Sequence, residues 1–149
     1  MDENGIVYTP EDLNEMYKGV YGEAAGADDA VMKMVAQSIV NRHRSGRGKE
    51  FGETIPDIMK RGYYAVSKAN KPYKEASEGK FPDIKSKAAW GRTKKLVDIA
   101  SSETDTDNPG HLFYFTPEEE AKMKKNKSFK FDQVEKVGKI GGYNLYKYK

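Results

Sequence analysis

Glu23 is the residue whose type and position first suggest catalysis. On the wheel of a helix that starts after Thr9, it lies next to Met16, Gly19 and Val20, at the border of the apolar face. It also falls in the last turn, where the helix dipole disfavours a negative charge. Partial burial and the dipole both favour the protonated carboxyl, which can protonate the leaving oxygen of a glycosidic bond. The position therefore predicts a general acid; the alternative is an ordinary helix-end glutamate that extends into water.

Other catalytic chemistries lack their signatures in this sequence. The chain has no cysteine, which excludes a disulfide framework, a thiol nucleophile and a zinc site built on thiolates. It contains no phosphate-binding Gly-rich loop and no Gly-x-Ser-x-Gly elbow. Its two histidines are His43 and His111, and His111 is interpreted as a loop histidine rather than a catalytic base. A carboxyl group is thus the catalytic group that the sequence singles out.

Two helices are expected to position Glu23. The first is capped by Thr9, has a proline at its first position and stops at Gly26. Its apolar stripe consists of Leu13, Met16, Tyr17, Val20, Tyr21 and Ala24. Asp28 or Asp29 can cap the second helix, which is apolar on most sides and is therefore predicted to be buried.

The rest of the chain is predicted to hold shorter elements. They are a basic loop over 46–52, a short helix over 54–62, a long surface loop over 67–83, a helix over 83–100, a strand over 112–115, a Lys-rich helical turn from 116 and a β-hairpin over 134–149. The long loop is predicted from Pro72, Gly79 and Pro82, and the hairpin from the alternation around Gly141 and Gly142. Because helices come first and a small antiparallel β-sheet or hairpin follows at the C-terminus, we expect an α+β fold, with residues 1–149 in a single domain.

Several motifs follow one another in a distinctive order. The first are Tyr21-Gly22-Glu23-Ala24 and, eighteen residues after the glutamate, Asn41-Arg42. Gly62-Tyr63-Tyr64-Ala65-Val66, the helix with Trp90 and the segment from Asn108 to Phe115 come next. The last is Lys139-Ile140-Gly141-Gly142-Tyr143-Asn144-Leu145-Tyr146. In these motifs, which cover nearly the whole chain after residue 12, the sequence resembles the cell-wall hydrolase family of the spore cortex-lytic enzymes.

The resemblance implies a lysozyme-like or lytic-transglycosylase-like domain that cleaves peptidoglycan between N-acetylmuramic acid and N-acetylglucosamine. Glu23 occupies the position of the family's catalytic glutamate. In that mechanism the acid protonates the glycosidic oxygen, and its conjugate base then accepts a proton from the muramoyl C6 hydroxyl as that hydroxyl closes a 1,6-anhydro ring. No metal and no cofactor are needed. A hydrolytic muramidase would instead require a second carboxylate, and the candidates for it are Asp28, Asp29, Glu53 and Asp83.

Five further residues are predicted to contact the glycan substrate. Tyr63 and Tyr64 can stack on sugar faces, or can belong to the core. Tyr114 can bind substrate if its side of the strand faces the cleft. Asn41 and the adjacent Arg42 can orient the loop after the second helix, can hydrogen-bond the surroundings of the glutamate, or can cap the C-terminus of the second helix. Tyr143 stands where the family has a histidine in its final hairpin.

The chain departs from the family pattern at other positions as well. Ala25 and Ala27 stand where the family often has an arginine and an acidic residue, and Tyr64 replaces a polar serine or threonine. These departures leave open a non-catalytic module on the same scaffold, either a cell-wall anchor or a structural part of a virion.

Charge and hydropathy limit the classes of partner that the sequence favours. The 26 basic and 23 acidic side chains leave a net charge of +3, and arginine is scarce, so nucleic acid is not the expected partner. The lysines from Lys122 to Lys149 can attract anionic cell-wall polymers, or can form an ordinary solvated face. No stretch approaches the roughly 18 apolar residues of a membrane span, so no membrane insertion is expected.

The acidic start of the sequence does not fit a signal peptide. We expect a monomeric, phage-encoded enzyme that is made in the cytoplasm and released by the phage lysis machinery or carried in a virion.

Overall fold

A computed structural model describes residues 8–102 and 104–149. The helices are α1 (Pro10–Ala24), α2 (Asp29–Arg44), α3 (Gly48–Phe51), α4 (Ile55–Gly62), α5 (Tyr64–Ser67), α6 (Lys71–Glu78), α7 (Ile84–Ala100) and α8 (Pro117–Asn126). The strands are β1 (Phe113–Phe115), β2 (Val134–Ile140) and β3 (Tyr143–Tyr148), and a 3₁₀ turn at Phe131–Gln133 precedes β2. The predicted α+β fold, with helices first and a small antiparallel sheet at the C-terminus, is confirmed.

Helix α1 forms for the reasons that its sequence predicts. Thr9 accepts a hydrogen bond from the backbone N–H of Asp12, and the Asp12 carboxylate accepts one from the N–H of Thr9, which completes a capping box. Met16, Val20 and the other residues of the apolar stripe turn into the core or lie at its edge. The helix ends at Ala24, so Glu23 lies in its last turn, as predicted.

Helix α2 is the central element of the core. Asp28 caps it by accepting a hydrogen bond from the N–H of Val31. Every residue from Met34 to Val40 is buried, as the broad apolar surface predicts. Two polar residues, Gln37 and Ser38, are buried with them, and both find hydrogen-bond partners.

Two predicted loops contain helices, and both predictions were wrong in the same way. Within 67–83, Asn70 caps α6, Pro72 occupies its first turn and Gly79 ends it in a left-handed conformation with φ of 68°. The residues that suggested a loop are therefore the start and stop signals of a short helix. The predicted basic loop over 46–52 likewise contains the single turn α3.

The sheet has the strand order β1-β3-β2, and both pairs are antiparallel. β3 and β2 form the predicted hairpin, whose turn places Gly141 and Gly142 at φ of 54° and 84°. A Cβ on Gly141 would lie 2.3 Å from Cγ2 of Val31, so glycine also allows the turn to rest against α2. The hairpin thereby fixes the sheet against the helical core.

The two faces of the sheet have different surroundings. Tyr114 pairs with Leu145 across β1 and β3, and Leu145 is fully buried, so these residues face the helical core. Because side chains alternate along a strand, Asn144 and Tyr146 face the other way. Both donate hydrogen bonds to Oε1 of Glu120 on α8, at 2.9 and 2.7 Å. Glu120 of α8 is therefore bonded to the face of β3 opposite to Leu145. In the described part of the chain, no helix is long and apolar enough to cross a membrane.

Candidate active site

The carboxyl group of Glu23 is held by the backbone of another helix. Oε1 of Glu23 accepts a hydrogen bond from the N–H of Ala65, at the start of α5, with an N–O distance of 2.9 Å. Glu23 is half-buried, and its Oε2 makes no hydrogen bond to any described residue. One oxygen is thus anchored, while no described residue bonds to the other.

Gly22 is what allows α5 to come this close. A Cβ at position 22 would lie 2.6 Å from Cβ of Ala65 and 3.1 Å from Oδ1 of Asn70. Asn70 strengthens the same contact, because its side-chain amide donates to the carbonyl of Gly22 at 3.0 Å. The last turn of α1, which contains Glu23, is therefore held against the α5–α6 segment.

Tyr63 is a core residue, which was one of its two predicted roles. Its side chain is 2% exposed, so it offers no face to a sugar. Ser38 donates its hydroxyl proton to the carbonyl of Val35 at 2.6 Å, so Tyr63 must donate its own to the Ser38 oxygen at 2.7 Å. Burial raises the pKa of Tyr63, and nearby Arg42 opposes that shift. Tyr63 therefore anchors the start of α5 to α2.

Tyr64, unlike the preceding Tyr63, is exposed to solvent. Its side chain is 68% exposed, which leaves the ring accessible beside Ala65. The two tyrosines of the Gly-Tyr-Tyr-Ala motif thus differ in burial: one points inward and the other outward.

Tyr114 and Tyr143 pack together on the sheet, and Tyr114 lies within the electrostatic influence of Glu23. Their rings meet edge to face with centroids 5.5 Å apart. Burial raises the pKa of Tyr114 well above its usual value, and the nearby Tyr63 hydroxyl and the Glu23 charge raise it further. The charge of Glu23 also acts on Tyr63. Glu23, Tyr63 and Tyr114 therefore form one cluster, with Tyr143 packed against Tyr114.

Asn41 lies elsewhere. Its side-chain amide forms two hydrogen bonds with the amide of Asn108, at 2.8 and 2.9 Å, and donates to the carbonyl of His111 at 2.8 Å. The cap of α2 is Ser45, so Asn41 is not the capping residue. Asn41 holds the loop that leads into β1.

Arg42 supports the cluster through its contacts with Tyr63 and with the segment that leads into β1. Its Nε donates to the carbonyl of Leu112 at 2.9 Å. Its guanidinium lies over three aromatic rings at centroid distances of 4.9 to 5.4 Å, those of Phe51, Tyr63 and Phe113. A Cβ on Gly62 would lie 2.3 Å from Nη1 of Arg42, which explains the glycine before the two tyrosines.

His111 is enclosed and unavailable to a substrate. Its ring is 0% exposed, and its Nε2 lies 2.9 Å from the carbonyl of Met34, so Nε2 carries the proton. Nδ1 is buried and makes no hydrogen bond to any residue of the described chain. Burial lowers the pKa of His111. The interpretation as a loop histidine fits this position, and the ring braces the loop against α2.

Three of the four candidates for a second catalytic carboxylate have structural partners. Asp28 caps α2, and Asp83 caps α7 by accepting a hydrogen bond from the N–H of Ser86 at 2.7 Å. Asp29 forms an ion pair with Arg92 at 3.1 Å. Glu53, the fourth, is exposed and lies against Gly48 of α3.

Glu120 is a buried carboxylate that the sequence does not single out. It lies on α8 and is 8% exposed. The two residues that donate to it, Asn144 and Tyr146, lie on the face of β3 opposite to Leu145, the cross-strand partner of Tyr114. Among the described residues, no group of three or more His, Cys, Asp or Glu side chains could hold a metal ion.

Comparison with known proteins gives no relative. No family model, no curated protein and no solved structure matches the chain.

Proposed function

We propose that the chain cleaves the glycan strands of bacterial peptidoglycan between N-acetylmuramic acid and N-acetylglucosamine, as a lytic transglycosylase of lysozyme-like fold. The proposal starts from the resemblance of its motifs to the cell-wall hydrolase family of the spore cortex-lytic enzymes. The observation that carries it is the Glu23 carboxyl, which is anchored through Oε1 to the N–H of Ala65, has no described residue bonded to Oε2, and is near enough to Tyr114 for its charge to act on that tyrosine.

One carboxyl serves both steps of the proposed reaction. Protonated Glu23 donates its proton to the glycosidic oxygen, and the bond between that oxygen and muramoyl C1 breaks. The C6 hydroxyl of the same sugar attacks C1, and its proton passes to the Glu23 carboxylate. The products are a 1,6-anhydro-muramic end and a free hydroxyl on N-acetylglucosamine. Glu23 regains its proton, so neither water nor a second acid is consumed.

The engagement of other carboxylates in structural contacts supports a mechanism that uses a single carboxyl group. Asp28, Asp29 and Asp83 are engaged in caps or an ion pair, and Glu120 accepts hydrogen bonds from β3. A retaining or inverting hydrolase needs a second carboxyl roughly 5–9.5 Å from the first. Of the candidates, Glu53 alone remains without such a partner, and a hydrolytic muramidase is therefore the second candidate function.

The test is mass spectrometry of the soluble products released from purified peptidoglycan. Wild type should release muropeptides with 1,6-anhydro-muramic ends, and Glu23→Gln should release none. Glu11→Gln, on the exposed first turn of the same helix, is the matched control and should behave as wild type. Reducing muramic ends would replace the proposal by the hydrolase. Binding of peptidoglycan without cleavage would replace it by a cell-wall-binding module or a structural part of a virion.

A further inference from the structure

Tyr64 is one of two large apolar side chains that stand out from the described surface, the other being Ile84, which is 86% exposed. A single exposed tyrosine is ordinary in itself. The position of Tyr64 is not, because both of its neighbours are immobilised. Tyr63 is buried and bonded to Ser38, and Ala65 is 1% exposed and donates its N–H to Glu23.

The peptide unit that anchors Glu23 is the one that joins Tyr64 to Ala65. Two covalent bonds, of about 1.5 and 1.3 Å, separate Cα of Tyr64 from the nitrogen that holds Oε1 of Glu23. The Tyr64 side chain therefore starts at the edge of the Glu23 site and points into solvent. Tyr64 is thus an exposed aromatic side chain carried by the peptide unit that holds Glu23.

We propose that Tyr64 is the stacking platform for a sugar of the glycan backbone next to the bond that Glu23 cleaves. The inference rests on the proposed function. An aromatic face complements the C–H face of a pyranose, and tyrosine supplies a large, stiff contact surface at low cost in conformational entropy. The platform adds affinity for the glycan strand rather than for its peptide stems. Tyr64 touches the substrate away from the reacting atoms, so it affects binding more than the chemical step.

The experiment measures binding of peptide-free glycan strands by calorimetry in variants that also carry Glu23→Gln, which prevents cleavage during the titration, and cleavage of whole peptidoglycan in variants that retain Glu23. Tyr64→Ala and Tyr64→Ser should weaken strand binding and raise KM by about 3- to 10-fold, the range for one aromatic contact, with kcat within about twofold. Tyr64→Phe should retain most of the binding. Ile84→Ala is the matched control for loss of an exposed apolar side chain and should bind as the Glu23→Gln parent does.

A structural readout separates stacking from damage to the site. The Ala65 amide should be equally protected from hydrogen exchange in wild type and Tyr64→Ala, because the backbone contact to Glu23 remains. Unchanged strand binding in Tyr64→Ala, or a fall in kcat with KM constant, would overturn the platform and leave the proposed cleavage intact. Binding that depends on Tyr64 without any cleavage would support the platform and overturn the proposed reaction. A Glu23→Gln parent that does not bind the strands would overturn both.

Discussion

The Cβ of Ala65 lies where it would be 2.6 Å from a Cβ on Gly22, a separation that real side chains do not reach. The absence of a side chain at position 22 thus sets how close α5 comes to α1. That approach places the backbone nitrogen of Ala65 2.9 Å from Oε1 of Glu23, the residue that follows Gly22.

Gly22→Ala should therefore separate the two helices and release the Glu23 carboxyl. We expect a loss of about 1–3 kcal/mol in the free energy of unfolding, as for other overpacked positions, together with a loss of glycan cleavage larger than the unfolded fraction accounts for. Denaturant unfolding and the product assay measure the two effects. Gly26→Ala is the control, because a Cβ there meets nothing within 4 Å, and equal behaviour of the two variants would contradict the close-contact explanation.

The Ser38–Tyr63 pair gives a prediction for the anchoring of α5. Ser38→Ala leaves the buried Tyr63 hydroxyl without its acceptor, so the free energy of unfolding should fall by about 1–3 kcal/mol. Tyr63→Phe removes the stranded hydroxyl, so the double variant should be destabilised by less than the sum of the single variants. A double-mutant cycle in urea measures this coupling, and strict additivity would show that the two hydroxyls do not interact.

His111 makes the stability of the chain depend on pH. Burial lowers its pKa in the folded state, whereas the unfolded value is about 6.5. Below that pH the unfolded chain binds a proton that the folded chain does not, so the free energy of unfolding falls as pH decreases. His111→Gln, which keeps an N–H for the carbonyl of Met34, should lack this part of the decline. Urea titrations from pH 8 to pH 5 compare the two slopes, and parallel curves would contradict the assignment.

Glu120 is predicted to support the fold and not the reaction. Glu120→Ala leaves the amide of Asn144 and the hydroxyl of Tyr146 without their acceptor, at a cost of about 1–3 kcal/mol for each group that stays buried. The melting temperature should fall, while cleavage per folded molecule should match wild type. Glu118→Ala, an exposed neighbour on α8, should change neither. If Glu120→Gln folds normally but releases no products, Glu120 belongs to the catalytic machinery after all.

The parts of the fold that the sequence predicts are those with local signals. Thr9 and Asp28 announce their helices through capping, and the spacing of Met16 and Val20 gives the buried side of α1. Helix α6 was missed because Pro72 and Gly79 occur both in loops and at helix ends, and only the neighbouring Asn70 cap distinguishes them.

The site is less accessible to sequence reasoning, for a physical reason. Glu23 is recognisable from its place in a helix, but its partner is a backbone N–H 42 positions later, and every residue except proline carries one. Asn41 bonds across a separation of 67 positions to Asn108, and no periodicity records such a pairing. The type of a side chain indicates which contacts it can form, whereas the packing of distant segments decides which contacts it does form.

The two faces of β3 make contacts with different parts of the molecule, and this restricts insertions and deletions in the hairpin. Tyr143 and Leu145 lie on the same face as Tyr114, while Asn144 and Tyr146 hold α8 through Glu120. A single inserted or deleted residue at the Gly141–Gly142 turn would exchange the two sets, placing an amide in the core and a leucine on Glu120. The number of residues in the hairpin is therefore fixed by the different surroundings of the two faces of β3.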